Sequence, residues 1–162
     1  LYVAQRVKQV QDIIERPLVL ENVSYYTPLA SEISEADFIQ TVLAESGALL
    51  LLDVNNVYVN SVNHSYDARR FIEQMPTDKV VYGHIAGHYN EAEDLIVDTH
   101  GASVISEVWQ LLDYAYQRHG VFPTLLERDF NIPALNELCL EVAQIKQAQQ
   151  VTNKVGREHA VI

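Results

Sequence analysis

The chain has 162 residues, 48% of them hydrophobic and 20% charged, with a formal net charge of -11. That describes a soluble globular domain with a core of its own, and the acidic balance excludes the basic surface that nucleic-acid binding needs. No apolar run approaches the roughly 18 residues of a membrane span, and no signal peptide is visible.

In chain order, Val3, Val7, Val10 and Ile14 form a helical stripe that Pro17 stops. Leu18 to Val23 reads as a short buried strand ending in polar residues. Ser34 with Asp37 opens the next helix as an approximate capping box, Phe38, Val42 and Leu43 are its core face, and Gly47 ends it. Ala48–Leu52 is a second buried strand, ending in Asp53-Val54-Asn55-Asn56. Asp67 caps a short helix carrying Phe71 and Ile72, closed by Pro76. Lys79–Tyr82 leads a third strand into Gly83-His84-Ile85-Ala86-Gly87-His88. A long polar loop follows and contains Asp98-Thr99-His100-Gly101. Ser103 or Ser106 starts a helix with Val108, Leu111, Leu112 and Ala115 inward, ended by Gly120. Phe122 to Glu127 is the fourth strand. Pro133 opens the last helix at a first-turn position. Cys139 lies in its apolar pattern Leu135, Leu138, Val142, as a buried structural thiol would. From residue 147 the chain turns polar, so residues 1–146 form the domain and 147–162 a tail.

The strands are continuous apolar runs, which indicates an α/β fold with a parallel sheet buried on both faces. A doubly wound sheet lacks support, since no Gly-rich phosphate loop follows a strand. A complete (β/α)8 TIM barrel takes about 250 residues, so this chain is read as four of its eight units. It has no initiator Met and starts inside a helical pattern, so it is read as a fragment. A single cysteine and no visible leader fit a reducing, cytoplasmic setting.

Each strand ends in an ionisable or metal-binding group: Glu21, Asp53, His84 and Glu127. In a parallel barrel those ends converge on one face. Crowded carboxylates raise each other's pKa, and a cation resolves the conflict. Asp98 and His100 add a pair on one side of an extended segment. Carboxylate with imidazole suits iron, manganese or zinc. Asn55, Asn56 and His88 are additional site candidates. A strand-end acid capping the next helix is the ordinary alternative for any one of these residues.

Five ordered motifs carry a family resemblance over residues 1–145: Leu20-Glu21-Asn22-Val23-Ser24-Tyr25, Leu51-Leu52-Asp53-Val54-Asn55-Asn56-Val57-Tyr58-Val59, His84-Ile85-Ala86-Gly87-His88, Asp98-Thr99-His100-Gly101 and Leu126-Glu127-Arg128-Asp129. Together they resemble the DUF692 (UPF0276) proteins, the multinuclear non-haem iron-dependent oxidative enzymes that include the methanobactin biosynthesis barrel subunit. The resemblance implies the C-terminal half of a TIM barrel, strands five to eight. It implies a centre of two or three irons in the intact enzyme, absent or partial in this fragment, with Glu21, Asp53, His84, Asp98, His100 and Glu127 as ligands. Asn56 falls where some relatives place a ligand histidine. It further implies oxygen-dependent modification of cysteines in a ribosomally made precursor peptide, presented by a separate partner protein. The exposed edges of a half barrel predict self-association. Two alternatives remain: a divalent-metal sugar-isomerase-like or hydrolase barrel, and a non-catalytic peptide-binding or assembly module.

Overall fold

The structure, a computed structural model, describes residues 2–27 and 33–159, with side chains through residue 153. Residues 160–162 of the expected tail lie outside that range. Helix α1 (Tyr2–Ile14) buries Ala4 and Val7 and stops where Glu15 turns left-handed, two residues before Pro17. Strand β1 (Val19–Glu21) follows, then α2 (Glu35–Ser46). The Ser34 hydroxyl accepts from the Asp37 N–H and donates to the Asp37 carboxylate, and left-handed Gly47 closes the helix.

Strand β2 (Leu49–Asp53) runs without a break into α3 (Val54–Asn63), and α4 (Ala68–Gln74) is capped by Asp67. Helix α3 carries Asn55 and Asn56 in its first turn. Its Val- and Asn-rich sequence is a poor helix former, but Val54, Val57 and Val59 are fully buried and packing overrides propensity. Strand β3 (Val80–Ala86) leads to a hairpin, β4 (Tyr89–Ala92) and β5 (Leu95–Val97), in place of the expected polar loop. Asn63 on α3 fixes that hairpin, its side chain donating to the Ile96 carbonyl at 2.9 Å and accepting from the Ile96 N–H at 2.8 Å. The chain ends with α5 (Ser106–His119), β6 (Thr124–Glu127) and α6 (Leu135–His159).

The sheet order is β1-β2-β3-β6, all parallel, so among the described residues the fold is α/β with a four-stranded parallel sheet, six helices and one hairpin. Leu50, Leu52 and Ile85 point into the core with Ile72, Leu112 and Tyr116 from the helices. An extra residue, Val81, interrupts the β2–β3 register: Leu50 pairs with Val80, but Leu51 pairs with Tyr82. Val80 thereby packs on the core, while Tyr82 and His84 share the opposite face with Glu21, Leu51 and Asp53. That face is open, and Val19 and Leu125 on it are 45% and 44% exposed.

Two local expectations are corrected. Cys139 is exposed, because among the described residues no element packs on its side of α6, and Leu135 is exposed beside it. Pro133 lies just before α6, whose first turn is closed by the Ala134 carbonyl. Helix α6 passes residue 146 without a break: Ile145 is buried, and Gln149 donates to the Tyr116 hydroxyl and the Phe122 carbonyl. No described helix is long and apolar enough to cross a membrane.

Glu35, in the first turn of α2, is half-buried beside Asn60 and Tyr25, and one carboxylate oxygen has no partner. Burial pushes its carboxyl up from 4.5 to about 7. The folded state therefore holds this proton more tightly than the unfolded chain. The associated stability is complete below pH 4.5 and is lost as pH rises through about 7. Glu35→Gln is expected to flatten that part of the stability–pH profile, measured by urea unfolding at a series of pH values.

Candidate metal centre

The parallel register delivers the strand ends to one edge of the sheet. Asp53 pairs with His84, and Ala86 with Glu127, while β1 ends beside them at Glu21. One ligand atom each from Glu21, Asp53, His84 and Glu127 lies within 4.8 Å of the others. His84 Nδ1 is 3.2 Å from Glu21 Oε1, 3.1 Å from Glu127 Oε2 and 3.7 Å from Asp53 Oδ2. One nitrogen cannot satisfy three carboxylates with one proton.

Asp53 is the anchor of this group. The Asn22 side chain spans to β2 like a further rung of the ladder, donating to the Asp53 carbonyl and accepting from the Asp53 N–H, both at 2.9 Å. The Asp53 carboxylate then caps α3, accepting from the Asn56 N–H at 2.6 Å through Oδ1. Its Oδ2 is buried with no hydrogen-bond partner. Burial, reinforced by the charges of Glu21 and Asp98, pushes this carboxyl up to about 7. A bare carboxylate oxygen facing an imidazole and two further acids fits a divalent cation.

A second group shares Glu127: His100, Glu127 and Asp129 also place ligand atoms within 4.8 Å of one another. His100 Nδ1 is 3.2 Å from Asp129 Oδ2 and 3.5 Å from Glu127 Oε2, and His100 Nε2 is 2.7 Å from Asp98 Oδ1. The hydrogen bond to Asp98 pushes the imidazole up to about 9, and Asp98 is held below the usual carboxylate range, against its burial, by bonds from His100, Ser24 and Asn55. His100 takes a left-handed backbone, φ 50°, and its ring reaches Glu127 at the end of β6.

Four of the six sequence-derived ligand candidates thus meet directly. His100 joins them through Glu127, and Asp98 stands behind His100. Asn56 lies beside Asp53, donating to the Asn22 carbonyl at 3.0 Å, and its Oδ1 is buried without a donor. Asn55 and His88 bond to each other behind Asp98. Sequence reasoning did not single out Asp129; its position two residues after Glu127 was the available signal.

A family model described as "RiPP precursor modification enzyme MbnB/TglH/ChrH" matches residues 1–150. A UPF0276 protein of Shewanella sediminis is 62% identical over 149 residues, 92% of this chain and 54% of that protein. One from Shewanella loihica is 62% identical over 144 residues, 89% of this chain and 52% of the relative. One from Nitrosospira multiformis is 59% identical over 150 residues, 91% and 53%. The chain spans about half the length of the curated relatives it matches.

Gly87 is what lets the His100 loop close on the strand ends. A Cβ there would lie 2.1 Å from the Ala102 carbonyl oxygen. Gly87→Ala is expected to destabilise the fold by about 1–3 kcal/mol, as overpacking against a backbone does. Gly101→Ala, whose nearest neighbour would be 3.1 Å away, should cost clearly less. Denaturant midpoints of the two variants make the comparison.

Proposed function

This chain belongs to the MbnB/TglH/ChrH family of RiPP precursor modification enzymes, and from that membership we propose that it supplies half of an iron centre that oxidatively modifies cysteines of a precursor peptide. In this reading the four parallel strands are strands five to eight of a (β/α)8 barrel, and the open sheet face is the barrel's interior. A second barrel half of the same enzyme closes it, or a second copy of this chain. The precursor peptide, presented by a separate partner protein in the cytoplasm, is the substrate.

Glu21, Asp53, His84 and Glu127 would hold one iron, and His100 with Glu127 another, with Asp129 or Asp98 completing the second set. The observation that carries the reading is Glu127. Its Oε2 lies 3.1 Å from His84 Nδ1 and 3.5 Å from His100 Nδ1, so one carboxylate faces both groups. When bound, iron would supply redox chemistry and a Lewis acid able to take a thiolate. The chain's own residues perform the rest. Asn22 and Asn56 lock Asp53, so that a single carboxylate oxygen is presented. Asp98 holds His100 by Nε2 and turns Nδ1 toward Glu127. The low exposure of Asp53, 0%, keeps water from competing for its oxygen.

Anaerobic loading of the protein with ferrous iron, followed by metal analysis, tests the centre. Iron should be retained, and Glu127→Gln should lower the affinity by at least about 10-fold, the loss typical of disturbing the surroundings of a metal site. Oxygen consumption on adding a cysteine-bearing precursor peptide tests the chemistry. Turnover of a sugar or ester without oxygen would favour a divalent-metal isomerase or hydrolase instead.

A further inference from the structure

His88 and Asn55 belong to neither carboxylate–imidazole group, yet both are buried next to them. Asn55 sits in the first turn of α3 and is fully buried, and His88 follows β3 by two residues and is 5% exposed. His88 Nδ1 is 2.8 Å from Asn55 Oδ1, and Asn55 Nδ2 is 2.8 Å from Asp98 Oδ1. The directions of these bonds are fixed. Asp98 accepts, so the amide nitrogen faces it. The amide oxygen then faces His88, which must carry its proton on Nδ1. The other nitrogen of His88 is buried with no partner, and the ring stacks on Tyr58 at 5.2 Å between centroids. Turning the amide over would set an NH2 against an N–H and an oxygen against a carboxylate.

Asp98 sets which way the Asn55 amide faces, His88 holds the amide there by donating to its oxygen, and Asn55 with Ser24 holds Asp98 in place. Ser24 Oγ donates to Asp98 Oδ2 at 2.8 Å, and Asp98 Oδ1 accepts from Asn55 and lies 2.7 Å from His100 Nε2 as an ion pair. We propose that His88 is a positioning residue: acting through Asn55 and Asp98, it pins Nε2 of His100 and so presents His100 Nδ1 to Glu127 and Asp129. As far as metal binding is concerned, this rests on the proposed reading of that group as a cation site. A carboxylate that orients a ligand histidine through its second nitrogen is a general device of metal sites. Here the device would extend two residues further back.

The test uses three variants. His88→Phe keeps a ring against Tyr58 and removes the donor, His88→Gln restores a donor, and Asn55→Ala removes the relay. The first measurement needs no metal: the proton on His100 Nε2, which faces Asp98 Oδ1 at 2.7 Å, followed by NMR. It should be present in the parent protein and in His88→Gln, and lost or shifted in His88→Phe and Asn55→Ala. The second is titration with cobalt(II) alone. Affinity should fall about 10–100-fold in His88→Phe and Asn55→Ala, recover in His88→Gln, and fall no further in the double variant than in either single one.

An unchanged Nε2–H signal in His88→Phe, or strictly additive losses, would overturn the proposal. Should His88→Phe fail to fold, Asn55→Ala carries the same decision. If the NMR signal responds as stated but the parent binds no cobalt, the positioning role stands and the cation reading falls.

Discussion

The structure turns on one carboxylate placed where water cannot reach it. Asp53 stands at the junction of the second strand and the helix that follows, and each of its polar atoms except one has a duty in the fold. Its backbone completes the ladder to Asn22, and Oδ1 starts α3. Oδ2 has nothing to bond. An unpaired buried carboxylate oxygen costs several kcal/mol or takes up a proton, and the raised pKa of this group reports that pressure. The neighbouring Glu21, His84 and Glu127 can relieve it only by bringing in positive charge. Fold stability and affinity for a cation are therefore coupled at one atom.

Much of this was legible in the sequence because strand ends are legible. Four short apolar runs, each stopped by an acid or a histidine, sufficed to place Glu21, Asp53, His84 and Glu127 at one edge, since parallel pairing aligns all four ends. Other features were hidden for identifiable reasons. Helix α3 is built from Val and Asn, which favour strands and turns, and its burial comes from long-range packing. Strand β4 is polar and exposed and the apolar β5 has only three residues, and the hairpin is fixed by Asn63, far away in the chain. Cys139 shows the opposite failure: the apolar pattern was right for a helix face, but nothing among the described residues packs on that face.

The loop from Thr99 to Ser103 illustrates how backbone and chemistry are matched. His100 adopts a left-handed conformation that non-glycine residues seldom take, and its carbonyl accepts from the Asp129 N–H at 3.0 Å. Gly87 leaves room for the Ala102 carbonyl behind it. A main-chain bond holds the histidine, and close packing holds its loop, before any side-chain bond is counted. That rigidity suits the proposed role of His100 as a preset member of the second group.

The extra residue in β3 has a consequence of parity. Along a regular strand, residues an even number apart share a side, so Val80 and His84 would face the same way. Val81 breaks the count once, and the strand begins on the hydrophobic side and finishes on the polar one. Were Val81 to pair as a regular rung instead, every residue would stay chemically intact and every strand paired, yet the imidazole of His84 would pass to the wrong side of the sheet, among leucines. The centre thus depends on an odd number, a property of the chain that no inspection of its donor atoms would reveal.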